Sequence, residues 1–268
     1  MNSSLPRPVD RMIQVFGVRT RSGSTYLHHL IAQHPDCVRS LFKEDFFLFE
    51  AHQLRNFVRA RDKGNWTRAE ACGSLTAVLG SAFVRYAVGG QENKRAVLKT
   101  PSPRGIEFFS EFYPHGSFVV IARDGRDCVA SAVKAWGFSL ETECETFRRN
   151  VEYFTAYRDQ RFRRPIPFVR YEDLVRDRKR VLTDLFDVLE LPAATYPFET
   201  DIPLIGSTED CVNKVPAQER VREKPADFKL ESRWLDWTAA ERQIFERIAG
   251  PSQIALGYDL DWSASHAA

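Results

Sequence analysis

The residues equipped for chemistry fall at the ends of three apolar runs. Val15-Phe16-Gly17-Val18 leads into Arg19-Thr20-Arg21-Ser22-Gly23-Ser24-Thr25, and the apolar-periodic segment Tyr26-Leu27-His28-His29-Leu30-Ile31 follows. Ala96-Val97-Leu98-Lys99 stops at Thr100-Pro101, and Ser117-Phe118-Val119-Val120-Ile121-Ala122 stops at Arg123-Asp124-Gly125-Arg126-Asp127. The first stretch reads as strand, loop and helix start. A helix N-terminus offers N–H groups without intrahelical partners at the positive end of its dipole. With Arg21 and several hydroxyls beside it, such a loop suits a phosphate or sulfate group. Gly, Ser and Thr also build ordinary turns and caps, so the loop alone does not decide.

The elements that must position these residues follow from periodicity. Strands are expected at 12–18, 96–99, 117–122 and 165–170. Helices are expected at 24–34, 47–62, 67–88, 103–113, 128–136, 140–162, 175–191 and 231–248. This alternation specifies an α/β protein, a central parallel sheet with helices on both faces. Ligands of such sheets sit at the carboxyl ends of the strands. That rule brings residues 19–25, Lys99-Thr100 and 123–127 to one rim, so three strand ends deliver cations to the same edge. With no repeat or linker, residues 1–268 read as a single domain. Residues 1–10 and 262–268 read as loose termini, and 192–230, rich in Pro and acidic residues, as an irregular, lid-like segment.

Composition excludes several classes. Hydrophobic residues are 43% and charged residues 28% of 268, the mixture of a packed domain rather than a disordered chain. The 38 basic and 36 acidic residues nearly cancel to +2, which argues against a nucleic-acid binder. Five scattered cysteines show no zinc or redox spacing and read as buried or idle thiols. No apolar run approaches the ~18 residues of a membrane span, and residues 1–11 lack a signal-peptide core. A cytoplasmic protein without a membrane partner is the expectation.

A nucleotide-hydrolysing P-loop requires Lys-Ser/Thr directly after its last glycine, but Gly23 precedes Ser24-Thr25 and the cation Arg21 comes before it. No apolar strand ends in an Asp to hold Mg²⁺. Protein cations alone, without a metal, would then neutralise the bound anion.

Thr20-Arg21-Ser22-Gly23-Ser24-Thr25 resembles the 5′-phosphosulfate loop of sulfotransferases, with Thr20 where that family usually has proline. Residues 119–126, with Ser131 eight residues after Arg123, resemble their 3′-phosphate motif. The similarity is greatest to the tyrosylprotein and heparan branch, through Ala32-Gln33-His34-Pro35-Asp36, Lys43-Glu44-Asp45-Phe46-Phe47, Leu98-Lys99-Thr100-Pro101-Ser102, Arg170-Tyr171-Glu172-Asp173-Leu174, Lys224-Pro225 and Leu256-Gly257-Tyr258-Asp259.

The resemblance implies a P-loop-like three-layer fold and sulfuryl transfer from 3′-phosphoadenylyl sulfate (PAPS) to a hydroxyl or amine. It implies that Arg21, with the N–H groups of Ser22, Gly23, Ser24 and Thr25, holds the 5′-phosphate. Lys99 would reach the bridging oxygen or the sulfonate, and Arg123 with Ser131 the 3′-phosphate. Tyr171 lies toward the same phosphate, Lys224 closes over the nucleotide, and Ser207 in Gly206-Ser207-Thr208 is a further contact. Glu44 is the implied catalytic base, with Asp45 a competitor for the helix cap and His34 and His115 rival bases. Asp124 orients an arginine or caps a helix. The expected acceptor is a small molecule, with a protein tyrosine or a saccharide as the alternative.

Overall fold

The computed structural model describes residues 6–62, 69–160, 166–200, 202–207, 221–223 and 234–263. Five parallel strands form one sheet: β1 (Ile13–Gly17), β2 (Cys37–Arg39), β3 (Arg95–Thr100), β4 (Ser117–Ala122) and β5 (Phe168–Arg170). Their order is β2-β3-β1-β4-β5, so the first strand is central. Strand β1 pairs in parallel with β3 on one side and with β4 on the other. Every residue of β1 is buried, as expected of a strand covered on both faces.

The pleat sorts the core into two layers. Ile13, Val15, Val97, Val119 and Ile121 face a cluster built with Leu27, Leu30, Leu182 and Phe186. These come from α1 (Ser24–Ala32) and α8 (Arg178–Leu189), which with α7 (Tyr171–Arg176) cover that face. Phe16, Leu98, Val120 and Ala122 face the opposite cluster, with Leu48, Val84, Phe112, Phe147 and Phe245. These side chains come from α2 (Phe47–Asp62), α3 (Ala69–Ala87), α4 (Phe109–Phe112), α6 (Leu140–Gln160) and α9 (Ala239–Ala255), with α5 (Gly125–Trp136) on the same side. Among the described residues no helix is long and apolar enough to cross a membrane.

The structure departs from the sequence expectation in small ways. Strand β2 is three residues at the sheet edge, too short for periodicity to show. The helix expected at 175–191 is two, α7 and α8, broken at Asp177, whose side chain caps α8 through the Arg180 N–H. The helix expected at 103–113 is a 3₁₀ turn followed by the single turn of α4. Within residues 1–10, expected to be loose, a 3₁₀ turn begins (Pro8–Arg11) with Val9 buried, and Trp262, in the other expected loose end, packs against Trp234 and Phe245. Within 192–230, expected to be irregular, β6 (Ile205–Ser207) and β7 (Val221–Glu223) pair as an antiparallel hairpin.

Candidate active site

The loop after β1 owes its shape to two left-handed residues. Arg21 has φ +76° and Gly23 has φ +93°. Glycine is required at position 23, because an added Cβ would lie 2.7 Å from Tyr171 Cε2 and closer still to Cδ2. The first helical bonds of α1 run from the Tyr26 and Leu27 N–H groups to the Gly23 carbonyl. The N–H groups of Gly23, Ser24 and Thr25 therefore precede the ladder and have no intrahelical acceptor. Gly17, at the end of β1, leaves room for Ser22, whose Oγ would be 2.7 Å from a Cβ placed there. Ser22 Oγ is buried and has no hydrogen-bond partner among the described residues.

The two arginines of this loop diverge. Arg19 turns inward, pairs with Glu143 of α6, and donates to the Cys128 carbonyl at 3.2 Å. Burial lowers its pKa to about 10. Arg19 thus anchors the loop to the core rather than joining the rim. Arg21 stays at the rim, half-buried, and its Nε donates to Ser131 Oγ at 2.9 Å. One hydrogen bond thus ties the residue expected at one phosphate to a residue expected at the other.

Arg123 follows β4 and lies over the ring of Tyr171 at 4.9 Å, with Asp127 at 3.7 Å. Burial alone would lower its pKa; Asp127, Tyr171, Cys128 and Glu172 outweigh burial and raise it. Arg21 is shifted down, first by burial and next by the charge of Arg123. Burial and the neighbouring Arg123 charge thus disfavour the Arg21 cation, which an anion bound there would stabilise.

The surroundings of Arg123 are built from residues of the quoted motifs and from one outside them, Gln253. Asp124 accepts from the Arg126 N–H and caps α5, and it also binds the Arg126 guanidinium, so it both orients an arginine and caps a helix. Glu172 accepts from the Asp124 N–H at 2.9 Å and from Tyr258 Oη at 2.8 Å, while Gln253 accepts from the Gly125 N–H. Tyr171 and Glu172 follow β5 directly, and Gln253 and Tyr258 come from the C-terminal end of the chain.

Lys99, the penultimate residue of β3, is buried, and its Nζ donates to Glu44 Oε1 at 3.0 Å. Burial lowers the Lys99 pKa, and the Glu44 charge and hydrogen bond oppose the shift. Glu44 precedes α2 and keeps about a third of its side chain exposed. Asp45 does not share this position. Its carboxylate turns inward, accepts from Thr100 Oγ1 and Gln14 Nε2, and caps the start of α2 through the Phe47 N–H.

The rival histidines lie elsewhere. His34 is held by the Pro192 carbonyl and the Asp36 N–H, against the Phe186 ring. His115 lines a cavity of about 390 Å³ with Val9, Met12 and Phe112, ahead of β4 and away from the carboxyl ends of the strands. Of Ser207 only the backbone is described, in the hairpin apart from the main sheet, and Lys224 lies outside the described residues. Among the described residues, no group of three or more His, Cys, Asp or Glu side chains is arranged to hold a metal ion. Cys37, Cys128 and Cys144 are buried free thiols.

A family model described as the sulfotransferase family matches residues 13–195, more than half of the chain and every described rim residue. The chain belongs to the sulfotransferase family. It is 24% identical over 254 residues to protein-tyrosine sulfotransferase 1 of Danio rerio, covering 89% of this chain and 70% of that protein. The sulfotransferase domain of the Synechococcus PCC 7002 olefin synthase shares the fold, with TM-score 0.53 and 16% identity over 97% of this chain and 99% of that one. The sulfotransferase domain from the curacin biosynthetic pathway aligns with TM-score 0.49 and 18% identity over 74% of this chain and 80% of that one.

Proposed function

We propose that this sulfotransferase moves the sulfuryl group of PAPS to a hydroxyl or amine of a small-molecule acceptor, with Glu44 as base. One observation carries the reading: three cations, buried Lys99 and Arg123 and half-buried Arg21, follow or end three neighbouring parallel strands, on the rim where α1 begins. The residues fit a donor with two phosphate groups, since Ser22 Oγ is buried without a partner among the described residues and burial with the charge of Arg123 disfavours the Arg21 cation. When bound, PAPS supplies an activated sulfuryl group and a phosphate leaving group.

The chain's own residues then divide the work. Arg21 and the N–H groups of Gly23, Ser24 and Thr25 stabilise charge that grows on the leaving 5′-phosphate, where preorganised donors matter most. Arg123 and Ser131 bind the 3′-phosphate, the guanidinium through its fork. Lys99 neutralises the reacting centre, and Glu44 at its side takes the acceptor proton. Phe46, 40% exposed and next but one to Glu44, offers an apolar wall to the acceptor. A protein-tyrosine acceptor is the second reading, supported by the Danio rerio relative's name.

Thermal shift separates the donor classes: 3′-phosphoadenosine 5′-phosphate should stabilise the protein, and stabilisation by ATP–Mg²⁺ alone would rule the proposal out. Glu44→Gln should keep nucleotide binding while turnover of labelled PAPS with a metabolite extract collapses. Turnover with tyrosine peptides but with no small molecule would transfer the assignment to the second reading.

A further inference from the structure

Beneath the Glu44–Lys99 pair lies a buried polar layer for which sulfuryl transfer has no direct use. Asp45 Oδ2 accepts from Gln14 Nε2 at 2.9 Å and from Thr100 Oγ1 at 3.0 Å, and Gln14 Nε2 reaches Thr100 Oγ1 at 3.2 Å. Oδ1 accepts from the Phe47 N–H at 3.1 Å, and the Asp45 N–H donates to the Lys99 carbonyl at 3.1 Å. One residue therefore joins the backbone next to Glu44 to the backbone of Lys99, to central strand β1 and to the start of α2. Gln14 and Thr100 are fully enclosed.

A helix cap alone does not require this layer. Gln14 is the second residue of β1, between the apolar Ile13 and Val15, and its fully buried amide is held by Asp45 and Thr100. Its Oε1 has no partner among the described residues, and neither has the buried hydroxyl of Tyr113. Burial, and then the charge of Asp45, raises the Tyr113 pKa, so the two groups lie within reach of each other's field. Leaving buried polar atoms unsatisfied costs stability, which calls for a reason other than stability. The neighbour that benefits is the base–cation pair: Glu44 precedes Asp45, and Lys99 precedes Thr100.

We propose that Asp45, gripped by Gln14 and Thr100, is a positioning residue that fixes the Glu44 carboxylate against the Lys99 ammonium. The inference rests on the catalytic reading of that pair. A serine at 45 caps α2 but cannot span to Gln14 and Thr100. An asparagine keeps the cap, and Gln14 can rotate its amide to present Oε1 to the new NH₂ group.

The test compares Asp45→Ser with Asp45→Asn by PAPS turnover, by melting temperature and by methylation of Lys99, with exposed Lys179 as internal control. Asp45→Ser is expected to lose about 10²-fold in kcat at little changed PAPS KM, as for an Ångström-scale misplacement. It should also unmask Lys99 to methylation relative to Lys179, whereas Asp45→Asn restores both readouts. If Asp45→Ser lowers only the melting temperature, with kcat and Lys99 protection retained, Asp45 is a cap and the proposal is wrong. Selective unmasking of Lys99 by Asp45→Ser in a protein that turns over no PAPS would sustain the positional link while removing the proposed function.

Discussion

Replacing Gly23 by alanine tests whether the loop after β1 is shaped by the ring of Tyr171. The φ of +93° is left-handed, which costs an L-residue about 1–2 kcal/mol. The new Cβ would also lie inside van der Waals distance of Tyr171 Cγ, Cδ2 and Cε2, so the ring must move. Tyr171 is buried and carries Arg123 on its face at 4.9 Å, an interaction of about 0.5–2 kcal/mol that the displacement weakens. Together these give roughly 2–4 kcal/mol, or a melting point lower by roughly 5–15 °C in a chain of this size. Differential scanning fluorimetry measures it, with and without 3′-phosphoadenosine 5′-phosphate. Introducing Gly23→Ala in a Tyr171→Ala background removes the clash but not the backbone strain, so the added cost should fall to the first component. The reasoning fails if Gly23→Ala melts within ~2 °C of the parent, or if it costs as much without the Tyr171 ring as with it.

Two further outcomes follow from groups buried beside the rim. Burial lowers the His28 pKa to about 3, against the hydrogen bond to the Val97 carbonyl at 2.9 Å. The folded pKa lies below the unfolded one, so between about pH 6.5 and 3 the unfolded chain binds the extra proton and stability falls on acidification, by roughly 1.4 kcal/mol per unit. Urea midpoints from pH 6.5 to 4.5 should show this slope reduced in His28→Gln; equal slopes would contradict it. Arg19→Met leaves Glu143 buried without its partner and should cost about 3–5 kcal/mol in chemical denaturation, whereas Arg19→Met with Glu143→Leu recovers part of it.

The sheet was legible because its strands are short apolar runs with cations after them. Ser117–Ala122 coincides with β4, and the ends of β1 and β3 were off by a residue. Strand β2 was not legible, since three edge residues give no period and only pairing with β3 defines them. The direction of a side chain was also hidden. Arg19 and Arg21 are two positions apart in one loop, yet one enters an ion pair with Glu143 and the other meets Ser131. The partner Glu143 lies more than 120 residues away on α6, and local sequence carries no trace of it. Gln14 left a signal of another kind: a lone amide inside an apolar strand asks for a buried partner.

The electrostatics of the rim explain why its motifs read as functional rather than structural. Cations that serve stability are matched: Arg126 sits between Asp124 and Asp259, and Arg19 against Glu143. At the mouth of α1 Arg123 is matched too, by Asp127. Among the described residues Arg21 donates to a serine hydroxyl and feels the charge of Arg123, and Lys99 donates to Glu44, the residue proposed to accept a proton. Enclosed positive charge raises the free energy of the empty site, and a dianionic ligand lowers it again, so part of the binding energy is stored in the fold before the ligand arrives. Arg123→Met should lower the melting point of the free protein, through loss of the Asp127 ion pair and the Tyr171 contact, and should lower it further relative to the parent with 3′-phosphoadenosine 5′-phosphate present, where a proposed phosphate contact is lost as well.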